Sequence, residues 1–344
     1  MGLIRKVLSL FLVTSVVAIG AAPTAAAVSA DEVKGAIDKA VGHLVSLQQE
    51  DGSWKRPDGA PGGAGYDVGR TALVTLALAR SGSPTAARAV HGGLAFVTRH
   101  APEPKTYTAG LVVTLLSEED PGRYRKLIER YASMTVRAQA RRGAEAGGWG
   151  YGIADATRGR PDNSNSQFAV MALHGTERAG LRIPKTSWKL VKKHYEVNQS
   201  PDGGWSYLGA ACERARGKQP SGSTLSMTAA CAVSLHLAEQ ALNPVKPEPG
   251  REAKVSPAVR AAIAWISRSR PQGPAYTWVT LQRLGRHTGR DQFGDTDWRQ
   301  VGADSMVTLI NRGPTDAADE ALALLFLTRL QSPAVDAEPE RAGD

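Results

Sequence analysis

The chain has 344 residues, 42% of them hydrophobic, and a formal net charge of +9. That length supports one large domain or two small ones, and the apolar content excludes a disordered polymer. The basic residues are spread along the chain, with small clusters such as "KLVKKH" and "RARGK", which reads as a solvated face, with weak attraction to an anionic polymer or membrane surface as the alternative; no nucleic-acid motif occurs.

In chain order, residues 1–30 read as a secretory signal peptide. Arg5 and Lys6 precede the apolar "VLSLFLVTSVVAIGAA", and "AAAVSA" offers small residues for cleavage near Ala27 or Ala30. The apolar run is shorter than the roughly 20 residues of a spanning helix. No later segment resembles a span, so the mature chain is expected to be exported, periplasmic or extracellular, without integral membrane association.

Helical periodicity then runs through the chain, and period-two alternation is almost absent. Apolar runs between Gly and Pro breaks predict about twelve helices: 31–49, 67–81, 85–100, 106–118, 121–141, 163–180, 185–199, 223–241, 255–270, 274–289, 296–312 and 316–331. They alternate in kind. The odd ones are amphipathic, as in Val33, Ile37, Val41, Leu44 and Leu47. The even ones, such as "TALVTLALA", "GLVVTLL" and "MTAACAVSLHLA", are apolar on nearly all sides and must be covered on most of them. Enclosed helices in an inner ring and amphipathic ones in an outer ring satisfy this alternation. Six antiparallel hairpins over residues 31–331 give an all-α, closed (α/α)6 toroid; a superhelical stack is the alternative. Residues 332–344, charged and containing Pro, are expected to be a disordered tail.

One turn recurs after the outer helices: "QQEDGSW" from Gln48, "NQSPDGGW" ending at Trp205, and a partial copy at Trp149. Gly52 and Gly203 suit a positive φ just past a helix end. Asp51 and Asp202 suit bonds to local amides. Trp54, Trp149 and Trp205 then fold back as clasps between hairpins, with the amides of Gln48 and Gln199 as their expected partners. This Gln-x-x-Asp-Gly-x-Trp pattern resembles the prenyltransferase/squalene-oxidase repeat of squalene-hopene and oxidosqualene cyclases and of protein prenyltransferase β subunits. More narrowly, "DNSNSQFAVMAL", "GSTLSMTAACAVSL" and "RLGRHTGRDQFGDTDW" look like single-toroid exported squalene-cyclase-like proteins. The resemblance implies the toroid; it implies no settled activity.

The family's chemistry is not intact here. A cyclase of this type needs a DxDD general acid. The nearest match is "DTDW", whose acid position would be Asp297, with Trp298 replacing the last Asp. Its place at a helix start equally suits a cap. The zinc-binding Asp, Cys and His spacing of a prenyltransferase is absent around Cys212, Cys231 and His236, so neither metal nor other cofactor is expected. Cys212 and Cys231 remain a possible disulfide in an exported protein, with an inert buried thiol as the other reading of Cys231.

In a toroid the inner-helix N-termini share one rim. The residues there are Tyr66, Asp67, Tyr107, Asp162, Asn163, Ser164, Asn165, Gln167, Ser223, Thr224, Ser226, Met227, Tyr276 and Trp278. Caps account for one polar residue per helix; "PDNSNSQ" and "PSGSTLSMT" exceed that. A binding rim for a polar ligand such as a glycan or peptide is the expectation, with Asp162 a second catalytic candidate. The function read here is therefore a monomeric, non-catalytic module that holds a ligand or protein in the funnel. The alternatives are a cyclase-like enzyme with a degenerate acid motif and an α/α-barrel carbohydrate-active enzyme.

Overall fold

The computed structural model describes residues 27–56, 66–154, 159–245, 251–313 and 315–330. Residues 1–26 of the expected signal segment 1–30, and the whole of the expected tail 332–344, lie outside them. The helices are α1 (Ala30–Ser46), α2 (Asp67–Ser81), α3 (Ala87–His100), α4 (Thr106–Glu119), α5 (Arg125–Ala138), α6 (Asn163–Arg178), α7 (Lys185–Asn198), α8 (Ala210–Arg214), α9 (Leu225–Leu242), α10 (Pro257–Ser267), α11 (Ala275–Thr288), α12 (Trp298–Asn311) and α13 (Ala317–Thr328). Twelve match the expected segments. The short α8 and a two-stranded hairpin, β1 (Gln292–Phe293) with β2 (Thr296–Asp297), are additions. No helix among the described residues is long and apolar enough to cross a membrane.

The even, enclosed segments form the inner ring. In order around it, α2 packs on α4, α4 on α6, α6 on α9, α9 on α11, α11 on α13, and α13 back on α2. Closure rather than a superhelical stack follows from that last contact. The first and last hairpins are also tied by Arg70 to Asp316 (2.7 Å) and His43 to Glu320 (2.5 Å). The amphipathic helices α1, α3, α5, α7, α10 and α12 lie outside and bury one face each. The core fills the annulus between the rings. In α9 every residue from Met227 to Ala238 is buried, so this helix is covered on its funnel side as well.

The recurrent turn is a clasp with three parts. The indole N–H of Trp54 donates to the Leu44 carbonyl (2.7 Å), that of Trp149 to Thr135 (2.7 Å) and that of Trp205 to Tyr195 (3.0 Å). Each Trp backbone N–H donates to a hydroxyl in the first turns of the next inner helix: Thr71, Ser166 or Thr228. The glutamines bridge repeats. Gln48 Nε2 donates to Gly52 and to Ala89 of the next outer helix, and Gln199 Nε2 to Gly203 and Ala258. Gln139, which the sequence pattern did not single out, does the same with Gly147 and Ser187. Gly52, Gly147 and Gly203 all hold φ near +90° (88°, 91° and 92°).

Cys212 and Cys231 are both free and buried, which corrects the disulfide expectation. Cys212 sits on α8 with its Sγ donating to the Ala144 carbonyl (3.3 Å), whereas Cys231 is enclosed in the middle of α9.

Candidate functional site

Three inner helices, α4, α6 and α11, keep accessible surface along one stripe. On α4 the stripe is Tyr107, Leu111, Thr114 and Glu118; on α6 it includes Ser164, Phe168 and Met171; on α11 it includes Tyr276, Val279 and Arg283. Spacings of three and four place each set on one helix face. Contacts across the ring identify that face as the funnel. The Tyr107 hydroxyl bonds Ser164, the Tyr107 ring packs on Phe168 (4.4 Å between centroids), and Gln167 Nε2 donates to the Tyr276 hydroxyl (2.8 Å). The Gln167–Tyr276 bond links α6 to α11, the inner helices on either side of α9.

At the N-terminal end the funnel has a tyrosine-rich mouth. Tyr66 stands edge-on to Tyr107 (6.4 Å), Tyr151 lies beside Tyr107 (6.5 Å), and Tyr207 and Tyr276 are close enough for charge on their phenols to be felt at or from Tyr107. Tyr151 and Tyr207 are about half exposed (56% and 51%), unlike most large side chains here. Burial pushes the Tyr107 phenol up to about 12 and raises Tyr66 and Tyr276 as well, so all three stay neutral hydrogen-bonding groups at physiological pH. The loop carrying Tyr151 is not free: Thr106 N–H donates to the Tyr151 carbonyl and Ile153 N–H to that of Pro104. These two bonds fix residues 151–153 against the start of α4.

The opposite end is closed by charge. Glu118 accepts from Arg80 twice (2.6 and 2.8 Å), with Arg178 at 3.4 Å and Arg329 at 3.8 Å. These arginines end α2 and α6 and follow α13, where cations complement helix C-termini. Their pull holds the Glu118 carboxyl below its ordinary value despite burial.

The carboxylates of the mouth are mostly engaged. Asp162 caps α6, accepting from Asn165 N–H and Asn165 Nδ2 (both 2.7 Å). Asp316 caps α13 and is held by Arg70. Glu103 accepts from Thr108 Oγ1. Burial raises both Asp162 and Glu103 above the usual carboxylate range, hydrogen bonds notwithstanding. Asp67 opens α2 and is half-buried.

Of the fourteen rim residues read from the sequence, the structure gathers Tyr66, Tyr107, Asp162, Ser164, Gln167 and Tyr276 around the mouth. Others have structural duties. Asn163 is buried against Ser206 and His194, and Asn165 against Asp162. Ser223 bonds the clasp residue Asp202, Thr224 caps α9 through Met227 N–H, and Met227 is fully buried. Ser226 keeps partial exposure. Trp278 is 1% exposed and packs edge-on to Phe326, between the rings. Asp297 is an N-cap of the outer helix α12, accepting from Arg299 and Gln300 N–H. Outer helices run opposite to inner ones, so it begins at the far end from the mouth. Sequence reading missed Glu103, Tyr151, Phe168, Tyr207 and Arg283. Arg283 was legible: it is the one basic side chain seven residues from Tyr276 on an enclosed helix, hence on the same face.

No family model matches the chain, and no curated protein matches it. Solved structures do. An α-1,6-mannanase, GH76A of Salegentibacter sp. HEL1_6, is 10% identical with a TM-score of 0.60 and covers 87% of this chain and 98% of its own; it was solved as an inactive variant with α-1,6-mannotriose. A possible member of the GH105 family from Salmonella enterica is 13% identical, with a TM-score of 0.56 over 88% of this chain and 94% of its own. The type II terpene cyclase MstE from Scytonema is 17% identical, with a TM-score of 0.52 over 83% of this chain and 80% of its own. At these identities the likeness establishes a shared α/α-toroid fold.

Proposed function

We propose that the chain is an exported, non-catalytic binding module whose site is the tyrosine-rich mouth, and that its ligand is polyhydroxylated, an oligosaccharide end being the form that fits. The observation that carries this is the gathering of four further tyrosines and Phe168 about Tyr107, with Gln167 bonded to one of them, Tyr276. Amphipathic rings offer apolar faces to C–H surfaces and hydroxyls to polar edges. The capping of Asp162 and the outer position of Asp297 weigh against a cyclase acid. The clasp repeat supports placing the toroid among prenyltransferase/squalene-oxidase-type chains.

Calorimetric titration against a panel of neutral and acidic oligosaccharides tests the proposal. Binding is expected to weaken at least tenfold, about 1.4 kcal/mol, in Tyr107→Ala and in Tyr276→Ala. Absence of any binding tighter than about 1 mM, or binding indifferent to both substitutions, overturns it.

One observation favours a second reading, glycoside hydrolysis. Glu103 and Asp162 both lie close enough to Tyr66 to bear on its phenol, and both carboxyls are raised by burial, as a general acid requires. Release of reducing sugar from α-1,6-mannotriose or another oligosaccharide, abolished by Glu103→Gln, would replace the binding-module reading with this one.

A further inference from the structure

Arg283 lies deep in the funnel, below the mouth. It is walled in by protein, yet it keeps some accessible surface, the combination expected of a group lining an internal passage. Helical side chains lean toward the helix N-terminus, and Arg283 reaches toward the mouth, where its guanidinium donates to Gln167 Oε1 (3.2 Å). Among the described residues that is its hydrogen-bond acceptor; no carboxylate is paired with it. The groups bearing on its charge are the phenols of Tyr276 and Tyr195 and the like charge of Arg80.

This is an unusual state for a buried cation. Removing a charge from water is expensive unless a counter-charge compensates, and buried charges are ordinarily paired. The other funnel arginines follow that rule: Arg80, Arg178 and Arg329 share Glu118. Arg283 stands on the mouth side of that cluster with a neutral amide as its partner. Burial lowers its pKa to about 10, which leaves it charged at neutral pH. Its free N–H groups form a planar fork suited to a carboxylate. The inner-helix N-termini at the mouth add positive partial charge.

Resting on the binding-module reading, and deepening it, we propose that the ligand carries a carboxylate that Arg283 receives, with Gln167 and the Tyr276 hydroxyl orienting the fork. The ligand is then an acidic saccharide such as a uronic-acid oligomer. The tyrosine mouth holds the sugar rings, and a carboxylate replaces the missing counter-charge.

The test uses three probes on the mature chain: trigalacturonate, its methyl ester, and benzoate, a carboxylate without sugar. Trigalacturonate is expected to bind at least tenfold more tightly than the ester. Arg283→Gln is expected to remove that difference, weakening the acid at least tenfold more than the ester, and Arg283→Lys to keep part of it. Unaltered urea midpoints establish that both variants fold. Equal affinity for acid and ester, or a difference that survives Arg283→Gln, overturns the carboxylate site and leaves the saccharide module standing. Arg283-dependent binding of benzoate without binding of either saccharide does the reverse. Failure of all three probes to bind overturns the carboxylate site; failure of the neutral and acidic oligosaccharide panel as well overturns both.

Discussion

Two glycines four residues apart, Gly143 and Gly147, isolate what the clasp demands of its turn. Both hold positive φ (70° and 91°). A Cβ at Gly143 would meet nothing within 4 Å, whereas at Gly147 it would lie 2.0 Å from the Leu190 carbonyl oxygen, 2.6 Å from its carbon and 2.8 Å from His194 Cβ. Alanine at either position incurs the left-handed penalty of about 1–2 kcal/mol, partly offset by about 0.4–1 kcal/mol from a stiffer unfolded chain. Gly143→Ala should therefore destabilise by no more than about 1.6 kcal/mol. Gly147→Ala adds overpacking of about 1–3 kcal/mol, and the obstacle is the backbone of α7, which cannot rotate aside. The expected gap between the variants is about 1–3 kcal/mol, read as a lower urea midpoint at unchanged slope. Equal midpoints would refute the view that the turn is pressed against α7.

Other expectations follow from the same structure. Gln199→Ala strands the carbonyls of Gly203 and Ala258 and should destabilise by about 1–3 kcal/mol, visible in the urea midpoint; a neutral result would remove the amide bridge from the account. His194 is buried and its pKa is lowered to about 4. The native state stays neutral while the unfolded chain protonates near 6.5, so its contribution is complete above that pH and fades as pH falls toward 4. The loss amounts to about 3 kcal/mol, and the pH 7-to-4.5 drop in urea midpoint should be smaller in His194→Asn than in wild type. Burial raises both thiols, so Cys212 and Cys231 should resist a disulfide-exchange reagent in the native protein. Both should react once denatured without reductant; a failure to react there would restore the disulfide.

The fold was legible because its signals are redundant. The inner helices are mostly apolar on nearly all sides, each outer helix has one stripe, and the Trp turn repeats; these agree on six hairpins. Gln139 escaped notice because its clasp carries an extra stretch between the amide and Trp149, so the spacing differs while the contacts do not. The site was half legible. Position along the chain correctly brought Tyr107, Ser164 and Tyr276 to one rim, but it cannot tell which way a side chain turns. Trp278, two residues after Tyr276, therefore points between the rings. The surplus of polar residues before α9 serves local bonds: Ser221 to Glu213, Ser223 to Asp202, and Thr224 to Met227 N–H. A low aromatic content, 6% overall, concealed a local concentration, since Tyr151 and Tyr207 reach the mouth from loops distant in sequence. Asp297 shows how a motif fragment misleads: its carboxylate meets the ordinary need of a helix start.

The most direct measurement is a crystal structure of the chain grown with the tightest-binding acidic oligosaccharide. The account predicts sugar rings against Tyr107 and Tyr276 and a carboxylate on the Arg283 guanidinium. A ligand seated on the outer helices, with Arg283 still bonded to Gln167 alone, would contradict it.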